Sequence, residues 1–285
     1  METIVTIPAF NEERTIKKVI KQIKKVMKGD NYAIQVINDG STDKTREKAL
    51  EENIIVYSHS KNKGLASTFR TAMKMCVAQK PNIIVQTDGD SQYPISDIPK
   101  LIATLKETKA DLVLGQRKHI ESMPLIKKIG NKAFSTLTSF ICKQKIQDSQ
   151  TGFRVFNTKV AKLPIKSKFT YTQPQIIEAC RAGLKVVEVP CKFYSRKKTG
   201  SRLMRSPLHY AKEALSDIFR IYYPNIYKFY KYSLARVMTA TLGCVVLYVF
   251  ADKLGFPAWL TNMLWIPISF FISFVLIQRF WRKIN

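Results

Sequence analysis

The sequence predicts an α/β protein: a mostly parallel mixed sheet with helices over residues 1–205, then amphipathic interfacial helices over 206–233 and an apolar two-helix transmembrane hairpin over 234–285. Three observations carry that expectation. Short β-rich apolar runs alternate with helix-length segments through the first half of the chain, the rhythm of a parallel α/β sheet. The residues that follow those runs are unusually polar, and in such sheets ligands bind outside the carboxyl ends of the strands. Near the C-terminus, two long apolar stretches are separated only by residues 252–255.

Residues 4–7 form the first strand pattern, with no basic-then-apolar leader before it, so export is not indicated. Lys17, Lys18, Lys21, Lys24, Lys25 and Lys28 then alternate with Ile16, Val19, Ile20, Ile23 and Val26 at helical spacing, the wet face of an amphipathic helix. Further strand patterns lie at 34–37, 54–57, 83–86 and 112–114, with a helix over 44–50 that Ser41 to Asp43 precede as cap residues. A basic helical pattern covers 120–145. Residues 151–156 and 186–189 complete the mixed sheet, with Ala182-Gly183 ending the helix between them. Residues 207–232, dense in Tyr, Phe and Lys, suit the membrane interface.

The apolar stretches are 237–251 and 256–277, roughly fifteen and about twenty-two residues against the ~20 that cross a bilayer core. Snorkelling of Arg236 would lengthen the first. Lys228, Lys231 and Arg236 flank one outer end of this hairpin and Arg279, Arg282 and Lys283 the other, which by the positive-inside rule places both ends and the N-terminal region in the cytoplasm. Tyr248, Trp259 and Trp281 are placed as interfacial aromatics. The expectation is an integral membrane protein whose hairpin could also pair with a second copy.

With 47 Lys and Arg against 21 Asp and Glu, the formal charge of +26 calls for an anionic partner: nucleic acid, anionic lipid or a phosphorylated substrate. The 46% hydrophobic content supports a real core and excludes global disorder. Five scattered cysteines without a CxxC pair argue against a disulfide framework or a zinc site, and read as core thiols in a reducing compartment.

The chemistry gathers in three loops. Pro8, Ala9, Phe10, Asn11 and Glu12 follow the first run; Asn38, Asp39, Gly40, Ser41, Thr42 and Asp43 follow the second; Asp88, Gly89 and Asp90 follow the fourth. Acidic groups on one sheet edge repel one another unless a cation or hydrogen-bond donors sit among them. Asp88 and Asp90 suit a hard cation, Mg2+ or Mn2+, which in turn holds a diphosphate; Gly89 would let the backbone approach the ligand. Asp39, at a strand end, can accept from ribose hydroxyls.

These loops, with Asn62-Lys63-Gly64, Ser91-Gln92, Gly115-Gln116-Arg117, Thr151-Gly152-Phe153-Arg154 and Arg196 through Gly200-Ser201-Arg202-Leu203, resemble glycosyltransferase family 2. More narrowly the set is similar to the dolichol-phosphate mannose synthase and polyprenyl-phosphate glycosyltransferase branch. The end of the hairpin, Gln278-Arg279-Phe280-Trp281, resembles the first half of a GtrA-like membrane region. The resemblance implies a GT-A fold in which Pro8, Phe10, Glu12, Asn38, Asp39 and Lys63 contribute to nucleotide binding and Asp88, Asp90 and Gln92 hold Mg2+ or Mn2+ with the diphosphate beside Gly89. It implies phosphate contacts for Arg117 and Arg202, which with Asp90 form the catalytic set, and a lipid-phosphate site at Asn131, Lys132 and Ser135.

The implied reaction is inverting transfer of mannose or glucose from GDP-mannose or UDP-glucose to a polyprenyl phosphate, with membrane rather than nucleic acid as the partner surface. A phosphate monoester with a second pKa of about 6 is already ionised at neutral pH and needs no dedicated base. That matters because Gln175 stands where relatives often carry Glu. Two rivals remain: transfer to a glycan or lipid hydroxyl, which requires a base, and a non-enzymatic basic protein docking to membrane or RNA, which would ignore Asp88 and Asp90. A sugar-nucleotide pyrophosphorylase is disfavoured, since Pro8-Ala9-Phe10 stands where its glycine-rich signature belongs.

Overall fold

The structure, a computed structural model, describes residues 2–118, 125–194 and 207–281. The chain divides into two compact units, Met1–Ala214 and Leu215–Asn285.

Seven strands of the first unit, β1 (Thr3–Ala9), β2 (Tyr32–Asn38), β3 (Ile55–Ser58), β4 (Ile83–Gln86), β5 (Leu112–Lys118), β6 (Arg154–Asn157) and β7 (Val186–Lys192), form one sheet in the order β3-β2-β1-β4-β6-β5-β7. Only β6 runs antiparallel to its neighbours, so the sheet is mixed and mostly parallel as the sequence predicts. Strand β5 outruns its apolar stretch because Gln116, Arg117 and Lys118 pair with Pro190, Cys191 and Lys192 of β7. Strand β6 begins later than expected, since Thr151 is occupied in a loop where its hydroxyl donates to the Gly115 carbonyl at 2.7 Å.

Helices α1 (Ile16–Val26), α2 (Thr45–Leu50), α3 (Leu65–Ala78), α4 (Ile98–Glu107), α5 (Leu125–Cys142), α6 (Thr158–Ala161) and α7 (Thr172–Arg181) complete the unit. One core cluster joins Val5, Ile7, Val36, Val85 and Val113 to the apolar stripes of α1 and α4; the other joins Ile4, Ile37, Ile84, Leu112 and Leu114 to α3 and α7. Both sheet faces are covered, which is why the strands read as continuous apolar runs. Helix α1 has no side-chain cap, yet Ile16, Val19, Ile20 and Ile23 are fully buried. Burial at roughly 1.5–3 kcal/mol per side chain outweighs a missing cap worth about 1 kcal/mol.

The register positions the site. Ala9 pairs with Asn38 and Thr6 with Gln86, so the loops leaving β1, β2 and β4 emerge side by side at one edge.

Helix α8 (Pro207–Tyr222) crosses the boundary between the units and buries Tyr210, Ala214, Ile218 and Tyr222 along one stripe. In the second unit α9 (Pro224–Leu247) opens on a proline, where the missing N–H costs nothing, and passes into a π-helical turn at Tyr248–Lys253. The boundary expected at 233/234 between the interfacial and apolar segments therefore lies inside one uninterrupted helix. Helix α10 (Ala258–Trp281) returns beside it: Arg236 lies over the Phe270 ring at 5.3 Å, and Gly243 faces Trp265 so closely that a Cβ there would sit 2.4 Å from the indole nitrogen. Among the described residues one helix, Pro224–Lys253, is long and apolar enough to cross a membrane. One of the two expected spans is thereby supported; α10, which holds the second apolar stretch, carries Pro267 inside the helix, where the missing N–H interrupts the backbone hydrogen bonding.

Candidate active site

The first two loops are stitched together before any ligand arrives. Asn11, in the left-handed region at φ 56°, accepts from Thr42 N–H at 2.8 Å and donates its own N–H to Ser41 Oγ at 2.9 Å; Glu12 N–H donates to Thr45 Oγ1 at 2.7 Å. Asp43 accepts from the backbone of Thr45 at 3.0 Å and of Glu13 at 3.2 Å, so it ties the first residue of α2 to the first loop. Gly40, at φ 67°, lies so close to Lys61 that a Cβ would sit 2.4 Å from that residue's carbonyl carbon. Only glycine fits there.

A cleft of about 650 Å³ opens at this edge. Pro8, Phe10, Glu12, Asp39, Asp88, Gly89, Asp90, Gln92 and Arg117 all line it, so the structure brings most of the expected site residues together. Asp39 is nearly buried. Its carboxylate accepts the N–H groups of Lys63 and Gly64, each at 2.9 Å, and holds His59 Nδ1 at 2.7 Å. It is as much a loop clamp as a ligand group.

Asp88 and Asp90 flank Gly89. Gly89 lines the cleft between them, and an added Cβ there would turn toward Ile16 and Ile7 at 3.4 and 3.6 Å, ordinary packing distances. The glycine that makes room for chemistry is Gly152, whose Cβ would lie 2.8 Å from Asp88 Oδ2. Gly152 N–H donates to Tyr93 Oη at 2.8 Å, which fixes this wall. Burial, then the charge of Asp90 and more weakly that of Glu12, push the Asp88 carboxyl up to about 7 against the pull of Arg117 and Arg154. Gln92 donates its backbone N–H to Asp90 Oδ1 at 3.0 Å and its amide to the Tyr194 carbonyl at 3.1 Å.

Four expected site residues stand elsewhere. Asn38 is buried, with its amide on Ser58 Oγ at 3.2 Å and its oxygen on Ser41 N–H at 3.2 Å, so it braces the strand end and does not line the cleft. Lys63 contributes its backbone while its side chain is exposed. Asn131 and Ser135, on α5, are buried behind the cleft wall: Asn131 accepts from Arg117 at 3.4 Å and Ser135 Oγ accepts from Ser149 N–H at 3.1 Å. Arg202 and the segment around it lie outside the described residues.

Arg117 faces the cleft but is already paired. Its Nε and an Nη bind Asp148 at 2.7 and 2.8 Å, and its backbone N–H binds the same carboxylate at 3.1 Å. Burial works against the Arg117 charge, and Asp148 more than restores it; burial works equally against Asp148, whose pKa Arg117 holds below the ordinary value. Sequence reasoning passed over Asp148, although it stands just ahead of Thr151-Gly152. Tyr93, Tyr171 and Tyr210, also on the cleft wall, carry no sequence signal that separates them from core aromatics.

Residues 4–163 match the family described as Glycosyl transferase family 2. The chain belongs to glycosyltransferase family 2. Among relatives of this family 2 chain, a UDP-N-acetylglucosamine--dolichyl-phosphate N-acetylglucosaminyltransferase of Methanococcus voltae is 31% identical, covering 65% of this chain and 83% of that one. A dolichol-phosphate mannosyltransferase of Pyrococcus furiosus is 28% identical over 100% of this chain and 80% of its own length. A glucosyl-3-phosphoglycerate synthase from Mycobacterium tuberculosis, solved with Mn2+ and UDP-glucose, superposes with a TM-score of 0.61 at 17% identity over 76% of this chain and 78% of that one, a likeness of fold. The family match ends at residue 163, so the likeness of the C-terminal helices to a GtrA-like region rests on sequence pattern alone.

The donor set fits a divalent cation of one kind. Among the described residues no three His, Cys, Asp or Glu side chains form a metal-binding group by themselves. The carboxylates of Asp88 and Asp90, each half-buried and aimed at one cleft, instead suit an ion that takes one or two protein carboxylates and completes its shell with water and phosphate oxygens.

Proposed function

We propose that this protein transfers a hexose, mannose or glucose, from a nucleoside-diphosphate sugar to a polyprenyl, dolichyl-type phosphate at the cytoplasmic membrane face, with inversion at the anomeric carbon. The observation that carries the proposal is the convergence of Asp88, Asp90, Asp39 and Glu12 on one cleft at the carboxyl edge of the sheet. The dolichyl-phosphate acceptors named in the relatives, and the UDP-glucose and Mn2+ of the structural neighbour, give the substrate classes.

In this reading Pro8 and Phe10 form an apolar wall for the base, Asp39 accepts from the ribose while its clamp on Lys63 and Gly64 shapes the pocket, and Asp88 and Asp90 hold Mg2+ or Mn2+. The metal would neutralise charge on the departing diphosphate. Arg117 is anchored rather than free: pairing with Asp148 fixes the guanidinium at the cleft wall, where its cleft-facing edge can orient a phosphate oxygen without swinging. The described cleft residues hold no histidine, and Gln175 donates nothing to it, being buried on Arg154. An acceptor that arrives as a phosphate anion needs no base from this wall. The apolar flanks of α9 and α10, with Val237, Met238, Trp259, Met263 and Phe271 exposed, support membrane insertion, and the Lys and Arg residues flanking the apolar stretches support a cytoplasmic catalytic unit by the positive-inside rule.

The test is to incubate membranes holding the protein with radiolabelled GDP-mannose, UDP-glucose and UDP-N-acetylglucosamine, with and without Mn2+, and to follow label into the organic phase. Label that enters with one donor, only with metal and added polyprenyl phosphate, supports the proposal. A water-soluble product formed equally without the lipid contradicts it.

A further inference from the structure

Among the described residues Arg154 is the largest side chain that is completely buried, and its hydrogen-bond partners there are all neutral. Nε donates to the Thr151 carbonyl at 2.9 Å, one Nη to Gln175 Oε1 at 2.8 Å and the other to the Ser149 carbonyl at 3.4 Å, while the Tyr171 ring lies 5.3 Å from the guanidinium carbon. No described carboxylate is within ion-pair distance of it, whereas Arg117 next door is fully matched by Asp148. An unpaired interior charge is unfavourable by about several kcal/mol, so a chain selected for stability alone would pair it.

The position that could pair it is Gln175. This side chain is completely buried, already reaches Arg154 with Oε1, and leaves its Nε2 without a hydrogen-bond partner among the described residues. A glutamate of the same length would offer the guanidinium two acceptors and remove the stranded donor. The amide is the poorer choice for packing.

The unpaired charge has a clear direction of action. Arg154 binds the Thr151 carbonyl, and Asp88 Oδ2 stands 2.8 Å from the Cβ position of the next residue, Gly152, so the guanidinium lies close enough for its charge to pull on the Asp88 carboxyl. The two groups thus flank the Thr151-Gly152 dipeptide. With Arg117 neutralised, Arg154 is the surplus positive charge behind this end of the cleft among the described residues.

We propose that Arg154 sets the charge balance of the site, offsetting Asp88 so that the cleft favours a diphosphate anion over a bare metal ion, and that Gln175 serves by keeping this charge unpaired. The inference rests on the nucleotide-sugar reading above. It gives Arg154 a tuning role through Asp88, with no contact to the substrate.

The test compares Gln175→Glu, Arg154→Gln and Arg154→Lys with the unaltered full-length protein in detergent. Two constants are measured by calorimetry: that of Mn2+ without nucleotide, and that of UDP and GDP in EDTA. Gln175→Glu and Arg154→Gln each make the site one unit more negative, so both should tighten Mn2+ and weaken the nucleotide by at least about threefold. Arg154→Lys keeps the charge and should leave both constants near their starting values, even where the melting temperature falls. Gln175→Glu should melt no lower than the unaltered protein.

A purely structural Arg154 gives a different pattern: both constants unchanged in Gln175→Glu, both shifted in the same direction, or Lys no better than Gln. Any of these overturns the inference. If Gln175→Glu does not fold, the Arg154 pair decides by the same criterion. Should the unaltered protein bind neither UDP nor GDP even with Mn2+, the nucleotide-sugar reading itself falls, an outcome distinct from normal binding that ignores the substitutions.

Discussion

Gly152 shows how closely single residues define the site. With 2.8 Å between its Cβ position and Asp88 Oδ2, even a methyl group must displace the carboxylate. Gly152→Ala should therefore reduce Mn2+-dependent nucleotide binding by about tenfold or more while costing roughly 1–3 kcal/mol of stability, measured by calorimetry and denaturant unfolding. Asp88 itself makes a pH prediction. Its folded-state pKa is raised to about 7, so between the ordinary carboxylate range and 7 the folded protein holds a proton that the unfolded chain releases. Metal-free stability should fall by a few degrees of melting temperature as pH rises through that window, and Mn2+ should reverse the fall above pH 7. A melting profile that rises across the window would contradict the buried, like-charged setting of Asp88. In the sequence Asp88 and Asp90 were legible because they follow an apolar strand run, whereas Arg154 and Asp148 were not: their importance lies in whom they pair with, which spacing does not encode.

At the scale of elements, the strands were almost fully visible because both sheet faces are buried and their residues form unbroken apolar runs. Strand ends were less so, since Gln116 to Lys118 join β5 through backbone pairing that hydropathy does not register. Asn62-Lys63-Gly64 was read as a motif, but its dependence on Asp39 appears only in three dimensions. Asp39→Asn removes one acceptor from the pair that holds the Lys63 and Gly64 N–H groups at 2.9 Å. It should lower stability by about 1–3 kcal/mol and expose this loop to proteolysis, as unfolding and limited digestion would show. Asn38, Asn131 and Ser135 mark the opposite failure. Asn38 belongs to a loop motif and the other two to the site the resemblance implies, but each is buried and bonded to a neighbouring segment. The continuity of α9 through residue 233 likewise escaped composition, which changes there while helical hydrogen bonding does not.

For the whole molecule, a soluble-type α/β unit and an apolar helical unit share one chain. The exposed Val237, Met238, Trp259, Met263 and Phe271 form more apolar surface than water tolerates on a monomer, so the protein should stay with membranes through high salt and alkaline carbonate and leave only with detergent. Asp90→Ala should behave identically in that extraction while losing metal-dependent nucleotide binding, which separates anchoring from chemistry. The central claim is that the sheet edge gathers its acidic loops to seat a cation against a diphosphate. Crystals grown with Mn2+ and UDP or GDP, and read at the manganese absorption edge, test it most directly. The account expects one anomalous peak about 2.1–2.3 Å from carboxylate oxygens of Asp88 or Asp90 and in contact with the diphosphate. A nucleotide bound elsewhere, or a metal peak away from both carboxylates, would contradict it.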